Sequence, residues 1–212
     1  MIIQWLGKSS FKIQTKGQGD EVTIAMDPFT DGNGLKMSRF NADIVTMSRN
    51  NENHNNIDAI RGEPFVITSP GEYETKGVFI YGIAGIAEEN KKKDKATICK
   101  IVSEEVSVVH LSSISDTLSN DQIDQLGNVD VLLIPVGNAG TLDAKKASEI
   151  ITQIDPRIVV PMNFKVEGQK TDLNTVDGFI KHCGLKSETM EKLRVQKKDL
   201  MAEDTRVVVL TI

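Results

Sequence analysis

Histidine and cysteine are scarce in this chain of 212 residues: the three histidines are His54, His110 and His182, and the two cysteines are Cys99 and Cys183. A zinc finger needs pairs of such ligands at short spacing, and the nearest pair, His182–Cys183, stands alone. A His-rich two-metal site would use more histidines than the chain owns. Two widely spaced cysteines make no disulfide framework, so a reducing cytosol is the default. No run reaches the roughly 18 apolar residues of a membrane span. The opening, MIIQWLGK, lacks the charged and apolar regions of a signal peptide. These absences predict a cytoplasmic protein that engages no membrane. Lys and Arg number 25 against 30 Asp and Glu, a net charge of −5, which argues against nucleic acid as a partner. G-x-G-x-x-G, G-x-x-x-x-G-K-[ST] and G-x-S-x-G are all missing, so neither a nucleotide-phosphate cradle nor a nucleophile elbow is indicated.

With 39% hydrophobic and 26% charged residues, the chain can bury a core. Its first part reads as strands and turns: Ile2 to Leu6, Phe11 to Thr15 and Val22 to Met26, a loop over Thr30 to Asn41, then a buried strand over Ala42 to Met47. Ser48 to Asn56 is polar and rich in asparagine, and Asn56 to Gly62 has room for a helical turn or two. Phe65 to Thr68, Val78 to Ile83 and Thr97 to Val102 read as further strands, with Pro70-Gly71 a turn and the charged run Lys91 to Lys95 a solvated hairpin tip. The rhythm then changes to alternating strand and helix. Val106 to Leu111, Val131 to Val136, Arg157 to Phe164 and Val207 to Ile212 read as strands. Helices are expected from Ser119, with Gln122 completing a capping box and Gly127 as the stop, over Asp143 to Ile154, and over Asp172 to Cys183, closed by Gly184. Without a Gly/Ser linker or a repeat, the chain reads as one α/β (α+β) domain, 1–212, in two sheet-rich halves of about 1–104 and 105–212. Ser112, Ser113 and Ser115 follow a strand near His110. Nothing local completes a triad, and a hydroxyl-rich loop accounts for them.

Residues 42 to 56, ADIVTMSRNNENHNN, place a polar segment directly after a buried strand. This resembles the metallo-β-lactamase fold superfamily, whose H-x-H-x-D-H signature has that position. Trp5-Leu6-Gly7-Lys8-Ser9-Ser10-Phe11 is similar to the family's opening W-x-G-H-[SA]-C-F, and Asp27-Pro28-Phe29 to its D-P-F. Pro70-Gly71-Glu72-Tyr73-Glu74 resembles the P-G-E-Y-E of a branch of small predicted metal-dependent hydrolases. Residues 110 to 115 stand where that branch has H-L-G-D-L-G, and VLLIPVG (131 to 137) and Pro161-Met162-Asn163-Phe164-Lys165 match its V-L-L-I-P-V-G and P-M-H-Y-K. The resemblance spans nearly the whole chain and implies a four-layer αββα sandwich with the site at one edge, between the sheets.

The departures fall on the family's metal ligands. Matched residue by residue, Arg49, Asn51 and Asn53 replace two His and the Asp of the signature, and only His54 keeps its type. Ser113 stands for the bridging Asp, Asn163 for the last His, and Lys8 for the opening His. Zinc takes imidazole, thiolate or carboxylate donors. An amide oxygen is a weak, neutral donor, and a guanidinium repels a dication. The exchanges therefore predict no cofactor where the family would use zinc or another divalent metal. The expected product is a catalytically degenerate pseudo-hydrolase serving as a binding or assembly module, with Lys8, Arg49, Asn51, Asn53, His54, Ser113 and Asn163 around the old cavity. Its expected partner is an anionic small molecule or a protein carboxylate, or else Glu52 or Glu72 fills the cavity internally. The alternatives are a metal-dependent hydrolase with an unorthodox site and a purely structural subunit. Each residue also has a plainer account. His54 and the asparagines are then leftover polar fillings and His110 a satisfied core histidine. His182 then favours a helix dipole, Cys99 and Cys183 are packed hydrophobes, and Glu72 and Tyr73 serve a turn. The terminal strand Val207 to Ile212 is expected as an exposed edge able to pair into a homo-oligomer.

Overall fold

The computed structural model describes residues 1–89, 91–200 and 204–212. It opens with β1 (Ile2–Gly7), β2 (Ser10–Lys16) and β3 (Glu21–Met26), followed by β4 (Phe40–Asn41), β5 (Ile44–Thr46), β6 (Ile60–Arg61) and β7 (Phe65–Ile67). The middle comprises β8 (Gly71–Thr75), β9 (Val78–Glu89), β10 (Lys92–Ser103) and β11 (Val106–His110). Strand and helix then alternate: α1 (Asn120–Leu126), β12 (Val131–Pro135), α2 (Ala144–Ile154), β13 (Ile158–Met162), α3 (Val176–Cys183), β14 (Ser187–Met190), β15 (Leu193–Arg194) and β16 (Arg206–Leu210).

Two main sheets result, of order β15-β1-β2-β3-β5-β7 and β14-β16-β13-β12-β11-β10-β9-β8. Their inner faces share one core: Trp5, Phe11, Ile13 and Ile24 from the first sheet cluster with Ile80, Ile98, Ile101 and Val108 from the second. β11, β12 and β13 are buried along their whole length, as parallel strands covered on both faces must be. Ala147, Ile150 and Ile151 of α2 and Phe179 of α3 join that core as the helical layer. On the far side of the first sheet, Leu6, Ala25 and Val45 pack against Phe29, Leu35, Met37 and Ala59, so that layer is the segment 29–60 with a 3-10 turn at Ile57–Ala59. This is the expected mixed α/β fold of layered sheets.

Local chemistry explains the helix ends. Ser119 Oγ accepts from Gln122 N while Gln122 returns a bond to the Ser119 backbone, and Gly127 stops α1. Asp143 caps α2 by accepting from Lys146 N, and Gly184 closes α3 in the left-handed region.

Several sequence expectations change. The chain passes from the first sheet to the second between Ile67 and Gly71, not near residue 104, and β15 returns to the first sheet. Glu72 and Tyr73 lie in β8, paired with Tyr81 and Ile80, rather than in a turn. Lys92 to Lys95 are ladder residues opposite Glu89 to Ile86, because β9 and β10 extend as a long hairpin past the sheet. α3 begins at Val176, since Thr175 takes the cap position in extended geometry. The terminal strand β16 lies between β14 and β13 and is largely buried, so it is no edge. Its edge position is taken by β14, whose polar SETM carries little apolar signal.

Candidate functional site

β5, β11, β12 and β13 run parallel in their sheets, and the loops leaving their carboxyl ends converge. A crevice beyond such strand ends is the usual ligand position in open α/β sheets. Here it is a cavity of about 260 Å³ lined by Lys8, Arg49, Asn53, His54, Ser113 and Asn163, together with Glu88, Thr141 and Gln169. Six of the seven positions singled out in the sequence thus meet in one pocket. Asn51, the seventh, sits behind His54 and orients it. Glu72 is outside the lining, on β8.

Each side chain is placed by a fixed turn. Lys8 has φ 49°, and its carbonyl is held by Trp5 Nε1 at 2.9 Å and Asn163 N at 2.9 Å. The Trp5 ring lies 4.6 Å from that of Phe164. Gly137 lets the 137–141 loop press on residue 163; a Cβ there would come within 2.1 Å of the Asn163 carbonyl oxygen. Beneath the 48–56 loop, Asp27 Oδ1 accepts from Ser48 N at 2.7 Å and Oδ2 from Ser48 Oγ at 2.6 Å. Ser112 Oγ donates to Ser48 Oγ at 2.6 Å, which joins the loops after β5 and β11. Asp27, Ser112, Asn138, Ala139 and Asn163 share with Lys8 a positive φ. Left-handed geometry is strained for Lys8 and Ala139, which line the cavity, and is better tolerated by the asparagines.

The electrostatics are specific. Lys8 Nζ donates to Asn53 Oδ1 at 2.8 Å and lies 4.8 Å from the Phe29 ring centroid. Its pKa is lowered by burial, against the opposing pull of Glu52 and Asp31. Arg49, buried, reaches Ser113 Oγ with Nη1 at 3.3 Å and Asp94 Oδ2 with Nη2 at 3.2 Å. His54 is buried with Nδ1 2.7 Å from Asn51 Oδ1 and Nε2 3.2 Å from Ser113 Oγ. Burial first, then the charges of Arg49, His110 and Lys8, hold its pKa down to about 3, so the imidazole is neutral. His110 bonds through Nε2 to the Ser9 carbonyl at 2.8 Å, and burial lowers its pKa to about 4. It is a core histidine beneath the site. Burial raises Asp27 to about 7.

Three features escaped the sequence. Asp94 and Glu88 come from the β9–β10 hairpin, whose overhang no local pattern announced. Ser113 meets His54 from 59 residues away. The adjacency is a product of topology, and the only advance signal was that both residues occupy matched motif positions.

A family model described as a beta-lactamase superfamily domain matches residues 2–163. A UPF0173 protein of Pyrococcus abyssi is 25% identical over 190 residues, covering 79% of this chain and 85% of the relative. A UPF0173 metal-dependent hydrolase of Lysinibacillus sphaericus is 24% identical over 197 residues, covering 77% and 85%. A Thermotoga maritima crystal structure, provisionally described as a Zn-dependent hydrolase of the metallo-beta-lactamase superfamily, aligns over 100% of both chains with a TM-score of 0.79 and 29% identity.

These relatives correct one expectation. The ligand exchanges predicted no cofactor, whereas relatives are named metal-dependent or Zn-dependent hydrolases and point to a metal cofactor. The donors gathered in this pocket do not fit a zinc site of the usual kind. Among the described residues no group of three His, Cys, Asp and Glu is placed to hold a metal ion, and the neighbours of His54 are amides, a hydroxyl and a guanidinium. No helix among the described residues is long and apolar enough to cross a membrane. By the extent of the family match, and by a fold shared end to end with the T. maritima protein, the chain belongs to the beta-lactamase superfamily.

Proposed function

We propose that this chain is a diverged superfamily member whose pocket binds a small molecule carrying a carboxylate or phosphate. One observation carries the reading. Lys8 projects an ammonium into the cavity with an amide oxygen and an aromatic face as its contacts, and forms no ion pair among the described residues. A partly desolvated cation of this kind is stabilised by an anion that completes its coordination. Arg49, in the same lining, and the amides of Asn53 and Asn163 supply further donors. Succinate and inorganic phosphate are the first probes. A ligand at 100 times its Kd adds about 2.7 kcal/mol of stability, which for a chain of this size raises Tm by about 5–10 °C. Lys8→Met should abolish that rise. A wild-type Tm indifferent to both probes would count against the reading.

The relatives' names favour a second reading, a metal-dependent hydrolase with an unorthodox donor set. Elemental mass spectrometry on untagged protein, purified without chelator from cells supplied with zinc, manganese and iron, separates the two. One or two retained equivalents per chain would put the hydrolase first.

A further inference from the structure

Ser113 and His54 line the pocket with Asn51 behind His54, and the hydrogen bonds fix the role of each atom. Asn51 Oδ1 accepts the backbone N–H of Asn53 at 3.1 Å, which identifies that atom as the amide oxygen. The same oxygen lies 2.7 Å from His54 Nδ1, so Nδ1 carries the imidazole proton and Nε2 presents its lone pair. Nε2 faces the Ser113 hydroxyl at 3.2 Å, and Ser113 lines the open cavity. Arg49 Nη1 donates to the same Ser113 oxygen from another side at 3.3 Å. A hydroxyl, a base within hydrogen-bond reach and a third group orienting that base is the arrangement of an activated nucleophile, recognised by geometry and not by order in the chain.

We propose that Ser113 is a catalytic nucleophile toward esters bearing an anionic group, with His54 as its base and Asn51 as a positioning residue. The anionic substrate class rests on the binding reading above. Ser113 Oγ bonds to the acyl carbon while its proton passes to His54 Nε2. The ester C–O bond breaks, and the departing alkoxide takes that proton. Water then adds to the acyl carbon, giving a proton to His54 Nε2. Ser113 Oγ leaves the acyl carbon as it recovers that proton, and the carboxylic acid is released. Arg49 steadies the serine oxygen as it loses its proton. A substrate anion seated on Lys8 and Arg49 holds its ester beside Ser113, which lines the same pocket.

The test uses a fluorophosphonate probe on the full chain, read by intact mass and peptide mapping. Ser113 Oγ bonds to phosphorus, fluoride departs, and the serine proton leaves through His54. A single adduct on Ser113 is expected, absent in Ser113→Ala. The labelling rate should fall about a hundredfold in His54→Gln and in Asn51→Ala, the usual worth of a positioned base. It should recover in Asn51→Asp, whose carboxylate accepts both N–H groups; a merely structural role for Asn51 would not produce that rescue. If His54→Gln fails to fold, the two Asn51 variants decide. No adduct on Ser113, or equal rates in wild type and the Asn51 variants, would overturn the assignment. The anion-induced Tm rise is measured on Ser113→Ala in parallel. If labelling fails while the rise persists, the nucleophile falls and the binding reading stands. If Ser113 labels but no anion shifts Tm, the nucleophile stands and the anionic substrate class falls.

Discussion

Replacing Asp27 by asparagine should double the steepness with which the protein loses stability in acid. His110 and His54 titrate in the native state near 4 and 3, well below their ordinary 6.5. Between about pH 4 and 6.5 the unfolded chain therefore holds two protons that the native state refuses. Asp27 acts the other way: its native value of about 7, against an ordinary 3.8, means the native state holds one proton there that the unfolded chain has released. The unfolded state keeps a net excess of one proton, so stability rises with pH by about 1.4 kcal/mol per unit. Across the 2.5-unit window that is a loss of about 3.5 kcal/mol on acidification. Asparagine keeps an oxygen for the Ser48 N–H and turns the second bond round, its amide N–H donating to the Ser48 hydroxyl that donates to Asp27 in the wild type, but it cannot titrate. The net excess becomes two protons and the slope about 2.8 kcal/mol per unit. Carboxylates with lowered values, such as Asp43 and Glu104, are common to both proteins and cancel in the difference. Urea unfolding at half-unit steps from pH 4.5 to 6.5 measures both slopes. Parallel curves for wild type and variant would refute the reasoning, because they would mean that Asp27 is ionised in the native state throughout.

Two further outcomes follow from particular contacts. Ser119→Ala removes one half of the reciprocal cap on α1 and should cost about 1 kcal/mol in urea unfolding, with Ser119→Gly losing less. Cys99 is buried, with burial pushing its thiol up to about 12, while Cys183 is half-exposed on α3. A thiol reagent at pH 8 should therefore modify one cysteine in the native protein and two in urea, and rapid native labelling of Cys99 would contradict its placement.

Much of this fold was readable because its local rules agree. The capping box at Ser119, the amphipathic stripe of Ala147, Ile150 and Ile151, and the fully apolar runs of β12 and β13 announce themselves within a dozen residues. What failed were elements defined by their partners. β8, GEYET, is an edge strand that owes its existence to pairing with β9, β14 is short and polar, and β15 is only the two residues Leu193 and Arg194. The outer half of β10 is a lysine-rich ladder that composition alone makes a loop. For the site, the matched motif positions collected Lys8, Arg49, Asn53, His54, Ser113 and Asn163 because strand ends converge in this topology. Those positions carry no information about which atoms face one another. Arg49 with Asp94, and Ser113 with His54, join residues 45 and 59 positions apart, and only the packed sheets specify such distances.

The central claim is that Lys8 and Arg49 make the pocket a receptor for small anions. Isothermal titration of untagged wild type, Lys8→Met and Arg49→Lys with succinate and with inorganic phosphate tests it most directly. The account predicts one site per chain in the wild type. It also predicts an affinity at least about tenfold weaker in each variant, since a charge-assisted hydrogen bond contributes about 1.5–3 kcal/mol. Binding that is unchanged in both variants, or no heat from either anion in the wild type, would contradict it.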